Sequence, residues 1–263
     1  MSRRPSLGTV KNVTTGSAGL VGLGIDIGGS GMKAAPVALD TGELREERYR
    51  IDTPQPATPE AMAPIVKELV EHFEWNGPIG AAMPTVVRHG VVHSAANIDE
   101  SWIGTDVDAL FTQATGCDVT VSNDADAAGV AEMKFGAGRD RNGVVIVLTF
   151  GTGIGSGLFV DGRLVPNTEL GHIQLDGLDA EERAAASARK RDDLSWEQWA
   201  TRVNRYLVEI VKLFSPELII FGGGASKRSE NWVHFLDVDA ELAVASMENN
   251  AGIVGAALIA HPV

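Results

Sequence analysis

The chain has one cysteine, Cys117, among 263 residues. No disulfide can form within it, and no multi-cysteine metal site can be built. A lone thiol suits a reducing compartment, so the expected location is the cytoplasm. Long apolar runs are missing too. No stretch approaches the roughly 20 residues that a membrane-spanning helix needs. The first nineteen residues, MSRRPSLGTVKNVTTGSAG, hold basic residues but no apolar core, and read as a disordered tail rather than a signal peptide. Cations are few: 22 Lys and Arg stand against 35 Asp and Glu, a formal charge of −13. A general nucleic-acid surface is not expected, because phosphate backbones need clustered cations. Two familiar phosphate signatures are also missing. There is no G-x-x-x-x-G-K-[ST]. The G-x-G-x-x-G-like spacing in GTGIGSG runs into a strand-like LFVDG, where a dinucleotide site needs a helix.

Glycine is plentiful, with 30 residues, and it clusters. A hydrophobic content of 44% is enough for a sizeable core. LVGLGIDIGGSGMKAAPVAL reads as strand, glycine turn and strand, and NGVVIVLTFGTGIGSGLFVDGRLV repeats that plan half a chain later. PIGAAM, DVTV and PELIIFGGG read as further strands. TPEAMAPIVKELVEHF is predicted to be a helix, with Thr58 as cap, Pro59 at its first position, and Met62, Ile65, Val66, Leu69, Val70 and Phe73 on one face. Another helix is predicted from about Ser195 to Phe214, and a last one, rich in small residues, over NNAGIVGAALIA. Alternation of strands and helices makes the class α/β, and the repeated unit predicts two similar lobes.

The turns DIGGSGMK and FGTGIGSG admit two readings. They are tight hairpin turns that need positive φ, or they are nests of bare amides that cradle phosphate oxygens. Under the second reading Ser30, Thr152 and Ser156 add hydroxyls, Lys33 adds charge, and Asp26 can hold Mg²⁺ directly or through water. Two matching turns, joined by FGGGAS, favour phosphate. VSNDADAAGV is open in the same way. Asn123 is a good helix N-cap, with Asp124 and Asp126 in the first turn, and capping alone accounts for all three.

GIDIGGSGMK, NDADAAG, LTFGTGIGSGL, ELGH and FGGGASK occur in the order found in the ROK family of sugar kinases and repressors, which the chain resembles over residues 20 to 260. HSAANIDESWIGTD, VPNTELGHIQLDG and NNAGIVGAAL narrow the resemblance to the polyphosphate-using glucokinase branch. The resemblance implies an actin-like, ribonuclease H-like fold with two lobes and a cleft between them. The expected division is a tail at 1–19, an N-terminal lobe at 20–122 joined by the last helix at 249–263, and a C-terminal lobe at 123–248.

The implied activity is phosphoryl transfer from inorganic polyphosphate, ATP or both to the 6-hydroxyl of glucose, with mannose as a further acceptor. Asp124 matches the catalytic base, and Asp126 keeps the capping role. Asn97, Asn123, Glu169 and His172 match residues that hold the sugar hydroxyls, with Glu181 beside them. Asp26 and the turns around Gly28, Gly29, Ser30, Gly31 and Lys33, and around Gly151, Thr152 and Gly153, match the phosphate and Mg²⁺ region. Gly222, Gly223 and Gly224 match the region that meets adenosine in ATP-using relatives. A homodimer is also implied. Zinc is not, because the stretch after GH has no cysteine. Read without the family, TELGH is equally a core histidine beside a turn glutamate.

Two departures stand out. Thr85 follows the proline of MPTVV where relatives have glycine, and RSENWVHFLDVDAELAVA departs from the family's basic stretch. Cations that can meet a polyphosphate chain are Lys134, the pair Arg139 and Arg141, the pair Lys227 and Arg228, and Arg189, Lys190 and Arg191; the two pairs are preferred. The alternatives are a strictly ATP-dependent glucokinase or fructokinase and a non-catalytic sugar-sensing regulator of the same family. Nineteen polar residues ahead of the first turn are too few for the DNA-binding domain such regulators carry.

Overall fold

The computed structural model describes residues 19–96 and 98–261. The expected tail, apart from Gly19, and the candidate Asn97 lie outside the described residues.

The first half builds a five-stranded sheet. Its strands are β1 (Val21–Ile27), β2 (Met32–Ala38), β3 (Tyr49–Ile51), β4 (Ile79–Met83) and β5 (Val119–Asn123), in the order β3-β2-β1-β4-β5. β1 runs antiparallel to β2 and parallel to β4, so the hairpin expected around Gly28–Gly31 is formed, with Asp26 directly opposite Lys33. Helix α1 (Pro59–His72) is capped by Thr58, whose side chain accepts the amide of Ala61 at 3.4 Å. Met62, Val66, Leu69 and Val70 are buried as its periodicity predicts. Helix α2 (Val107–Thr115) ends in Gly116 at φ 74°, a left-handed cap that suits glycine. Trp102 is fully buried in this core, with its indole N–H donated to the carbonyl of Ala57 at 2.7 Å.

The second half repeats the plan. Helix α3 (Asp124–Phe135) leads into β6 (Val144–Phe150), β7 (Ile154–Val160), β8 (Arg163–Val165), β9 (Leu218–Gly222) and β10 (Glu241–Val244). Their order, β8-β7-β6-β9-β10, is the first sheet's order over again. β10 lies in the divergent stretch after Lys227. Short helices α4 (Ala180–Ala184) and α5 (Ala186–Arg191) precede α6 (Trp196–Phe214). α6 starts at Ser195 with a reciprocal capping box to Gln198. Its buried stripe of Trp199, Val203, Tyr206, Leu207 and Ile210 covers the sheet. Phe150, Trp199, Phe221 and Trp232 pack together with ring centroids 4.9–6.1 Å apart, edge to face except where Phe221 meets its neighbours at a tilt. That cluster fixes the end of β6, and with it the turn that starts at Gly151.

Helix α7 (Ala251–Ile259) lies on β1, β4 and β2, and also against α3, which in turn packs on β7 of the second sheet. Small residues allow this. A methyl group on Gly24 would collide with the carbonyl of Ile253, one on Gly80 with that of Ala256, and one on Gly255 with that of Ala127. The α3–α7 pair is therefore a tight joint between the two sheets.

Candidate active site

The two sheets face each other across a cleft of about 630 Å³, lined from both halves. That size suits a small-molecule site. Its floor is the start of α3. The side-chain oxygen of Asn123 accepts the amides of Ala125 at 2.8 Å and Asp126 at 3.1 Å, and its Nδ2 donates to the carbonyl of Thr85 at 3.2 Å. The capping reading is thus right for Asn123, and that cap holds Asp124 rigidly where it lines the cleft.

Asp124 is not an ordinary aspartate. Burial first, then the charge of Asp26 and that of Glu169, raise its pKa to about 7, against the lowering effect of the Ala125 amide. A carboxylate poised there is a better proton acceptor at neutral pH than one in water.

Asp126 departs from its expected capping role. It is 2% exposed, and one of its oxygens accepts the amide of Asn167 at 2.7 Å. Asn167 in turn bonds the backbone of Val87 through both ends of its side chain, at 2.9 Å each. Asp126 therefore ties α3 to a cross-lobe contact, because the Asn123 side chain already occupies the amides it would cap.

The first glycine turn is held from outside. The carbonyls of Gly28, Gly29 and Ser30 accept bonds from Thr53 at 2.5 Å, Gln55 at 3.4 Å and Arg50 at 2.8 Å. Each trans peptide carries its N–H opposite its carbonyl. The amides of residues 29, 30 and 31 therefore point away from those side chains, none of which lines the cleft. The amide of Gly28 closes the turn on Gly31 at 3.1 Å, and that of Gly151 closes the second turn on Gly153 at 3.0 Å.

Positive φ does not explain these glycines: Gly28, Gly29, Gly31, Gly151 and Gly153 all lack it. Of the cleft glycines, Gly223 alone has it, at 75°. Nor does packing explain Gly29, Gly151 or Gly224, where an added methyl would meet no protein atom within 4 Å. All three line the cleft. What a side chain there would obstruct is the cleft's own content, which favours the phosphate-cradle reading over the hairpin one.

The remaining residues divide clearly. Lys33 and Thr152 line the cleft; Ser30 and Gly31 do not. Lys33 pairs with Asp26 at 3.3 Å. The Ser156 hydroxyl is a correction: Ser156 is 1% exposed, donates to the carbonyl of Thr168 at 2.6 Å and accepts the amide of Leu170 at 2.9 Å, so it braces the ELGH segment instead of facing a ligand.

Glu169, His172 and Glu181 come together on the opposite wall. Burial raises the pKa of Glu169, and His172 opposes that. A hydrogen bond of 2.7 Å from His172 Nδ1 to Asp179 raises the histidine's pKa and orients its ring, leaving Nε2 3.9 Å from Glu169. Glu181 accepts the amide of Ile154 at 2.9 Å and so anchors the second turn. No local pattern marks Asp179, which a two-residue turn at Asp176–Gly177 folds back beside Gln174. Thr85 is 1% exposed, and its hydroxyl has no partner.

Of the preferred cation pairs, Lys227 lines the cleft. Arg141 does not, and both its terminal nitrogens are bound by Glu241. Among the described residues no group of three acidic, histidine or cysteine side chains is arranged to hold a metal, and no helix is long and apolar enough to cross a membrane.

The sequence matches the ROK family over residues 22–190. It is 49% identical over 238 residues to the polyphosphate glucokinase of Mycobacterium tuberculosis (strain CDC 1551 / Oshkosh), covering 90% of both chains. The solved structure of the inorganic polyphosphate/ATP-glucomannokinase from Arthrobacter sp. strain KM is similar at a TM-score of 0.88 and 49% identity, over 91% of this chain and 98% of that one. A ROK family glucokinase from Streptomyces griseus, solved with glucose and AMPPNP, shares the fold at a TM-score of 0.78 and 23% identity, over 91% and 98%. The fold is the actin-like one with two lobes and a cleft.

Proposed function

The chain belongs to the ROK family, and from that premise we propose that it is a hexose kinase that takes its phosphoryl group from inorganic polyphosphate, with ATP as a second donor. Glucose is the acceptor and glucose 6-phosphate the product. Mannose is a second acceptor, a reading supported by the similarity to a glucomannokinase. The observation that carries the proposal is the joint geometry of the cleft: a carboxylate raised to about 7 on its floor, and glycines on both walls that neither backbone nor packing requires.

In this reading Asn123, Glu169 and His172 hold the hexose so that its 6-hydroxyl meets Asp124. Oxygen 6 attacks the terminal phosphorus, the bond from phosphorus to the donor's bridging oxygen breaks, and that oxygen leaves with the electron pair. Asp124 takes the hydroxyl proton. The products are the sugar phosphate and a donor one phosphate shorter. Phosphoryl transfer has a loose transition state, so the proton can move late, and positioning with charge stabilisation carries most of the rate. The amides of the two turns supply part of that stabilisation.

Mg²⁺ fits the donor set. It is commonly held by one or two carboxylates together with substrate phosphates and water, and Asp26 is a partly exposed carboxylate at the strand end beside the first turn. When bound there, the ion would offset the charge of the donor phosphates. Lys33, in the same wall, would exchange Asp26 for a phosphate oxygen. We draw the lobe boundary between residues 122 and 123, with 249–263 returning to the first lobe, a division supported by the packing of α7 on β1 and β4. A cytoplasmic homodimer is the working form that the family resemblance suggests.

The test is a coupled glucose 6-phosphate assay with polyphosphate, ATP or neither, run with glucose and with mannose. Product with polyphosphate supports the full reading. Product with ATP alone supports the ATP-dependent alternative, and no product with either donor refutes the kinase.

A further inference from the structure

A polyphosphate donor is a chain, and only its terminal phosphoryl group reacts. The rest has to leave the cleft, and on a protein with a formal charge of −13 it needs local cations to follow. One mouth of the cleft supplies them. Lys227, in the 3-10 helix Gly224–Asn231, donates from Nζ to the side-chain oxygen of Asn249 at 2.9 Å. Arg48, just ahead of β3 in the other half of the chain, donates from Nη1 to the backbone oxygen of the same Asn249 at 3.2 Å. Lys227 and Asn249 line the cleft, and Arg48 lies just outside it.

Among the described residues, neither of these two cations is paired with a carboxylate. Arg50, Arg139, Arg141, Arg191 and Arg202 are each matched with a carboxylate. Lys227 and Arg48 are held by amide oxygens, which fix a side chain without cancelling its charge. The neighbouring acid, Glu248, lines the same mouth.

We infer that Lys227 and Arg48, anchored on the two oxygens of Asn249, form the track along which the polyphosphate chain leaves the cleft. This rests on the proposed donor. Lys227, at the cleft wall beside Gly224, meets the chain before Arg48 does. Arg48, outside the wall, meets phosphates further back and is reached only by longer chains. Glu248 opposes both.

The experiment measures KM for long-chain polyphosphate, for tripolyphosphate and for glucose, in Lys227→Gln, Arg48→Gln, Asn249→Ala, Glu248→Gln and Arg141→Gln. An ion pair at a surface is worth little, so each lost cation should raise KM for the long chain about fivefold. Arg48→Gln should leave tripolyphosphate unchanged, whereas Lys227→Gln weakens both donors. Asn249→Ala should weaken the long chain, Glu248→Gln should strengthen it, and Arg141→Gln should change nothing. Glucose KM should stay constant throughout, which reports that the variants are folded. An active wild type whose Lys227 and Arg48 variants keep its long-chain KM would overturn the track alone, and so would an equal loss in Arg141→Gln. A wild type inactive with polyphosphate but active with ATP would remove the donor reading, and the track with it.

Discussion

The two halves of the chain repeat one strand order and bring a glycine turn to the cleft at the same point, yet they bring different chemistry. The first turn is flanked by an acid and a base, Asp26 and Lys33, one on each strand of its hairpin. The second turn has no charged residue on the matching strand ends. The matching pair there is Thr149 and Gly155; next to the turn stand Phe150, packed into the tryptophan cluster, and Ile154, whose amide is held by Glu181. The first turn is braced through its carbonyls by Thr53, Gln55 and Arg50, the second by a carboxylate reaching in from α4. The strand plan decides where a turn meets the cleft; the side chains around it decide what it can hold. Between the halves lies the start of α3, which supplies the reactive carboxylate.

The largest effect should come from that junction. Asp124→Asn should lower turnover by about a thousandfold, within the usual range for losing a general base, while glucose affinity measured by calorimetry stays within a few-fold. Asp126→Asn, two residues on, should keep most of its turnover. Equal losses in both would mean that α3 is being disturbed and that the two acids do not differ in role.

Next come the turns. Gly29→Ala and Gly151→Ala should each raise donor KM by about tenfold without lowering the melting temperature, because the added methyl meets only the cleft. Gly255→Ala should do the opposite. It should destabilise the fold by about 1–3 kcal/mol, because the methyl strikes the α3 backbone. If Gly29→Ala affects the donor and Gly151→Ala does not, the halves differ in function more than their shared plan suggests.

The acidity of Asp124 sharpens the picture in two ways. With a folded-state pKa of about 7, kcat/KM should rise with pH through that value as the carboxylate ionises. Stability should move the other way. The folded protein holds the proton more tightly than the unfolded chain does, so stability falls as pH rises from about 4 to about 7 and then levels off. Asp124→Asn removes that loss and should stabilise the protein at pH 8 by on the order of 1–2 kcal/mol, discounted for solvent at the cleft. Thermal melts across pH check this. The smallest effect is ionic. Activity with polyphosphate should fall more steeply with salt than activity with ATP, because the longer donor meets more exposed cations. Parallel salt curves would argue against an extended contact.

Much of this was legible in the sequence for a physical reason: caps, turns and amphipathic faces are local. Thr58 before Pro59 and Asn123 before α3 cap their helices as their spacing predicts, and α6 spans the stretch expected for it. The doubled strand–turn–strand unit reveals the two sheets. What escaped was set by distant partners. Asp126 reads as a first-turn cap because the residue that claims it, Asn167, lies 41 residues away. Ser156 reads as a ligand hydroxyl because its bonds to Thr168 and Leu170 form only once the second sheet is built. Nothing local marks Arg48, whose contact with Asn249 spans 201 residues. Hydrophobic periodicity also gives no hint that Thr53, Gln55 and Arg50 hold the first loop through its carbonyls.

The central claim is that the carboxylate at the start of α3 receives a hexose 6-hydroxyl. A crystal structure of the protein with glucose tests it directly. The account predicts oxygen 6 within hydrogen-bonding distance, about 2.6–3.2 Å, of an Asp124 carboxylate oxygen, with the same oxygen facing the gap between the two glycine turns. Glucose bound with oxygen 6 turned away from Asp124, or bound outside this cleft, would contradict it.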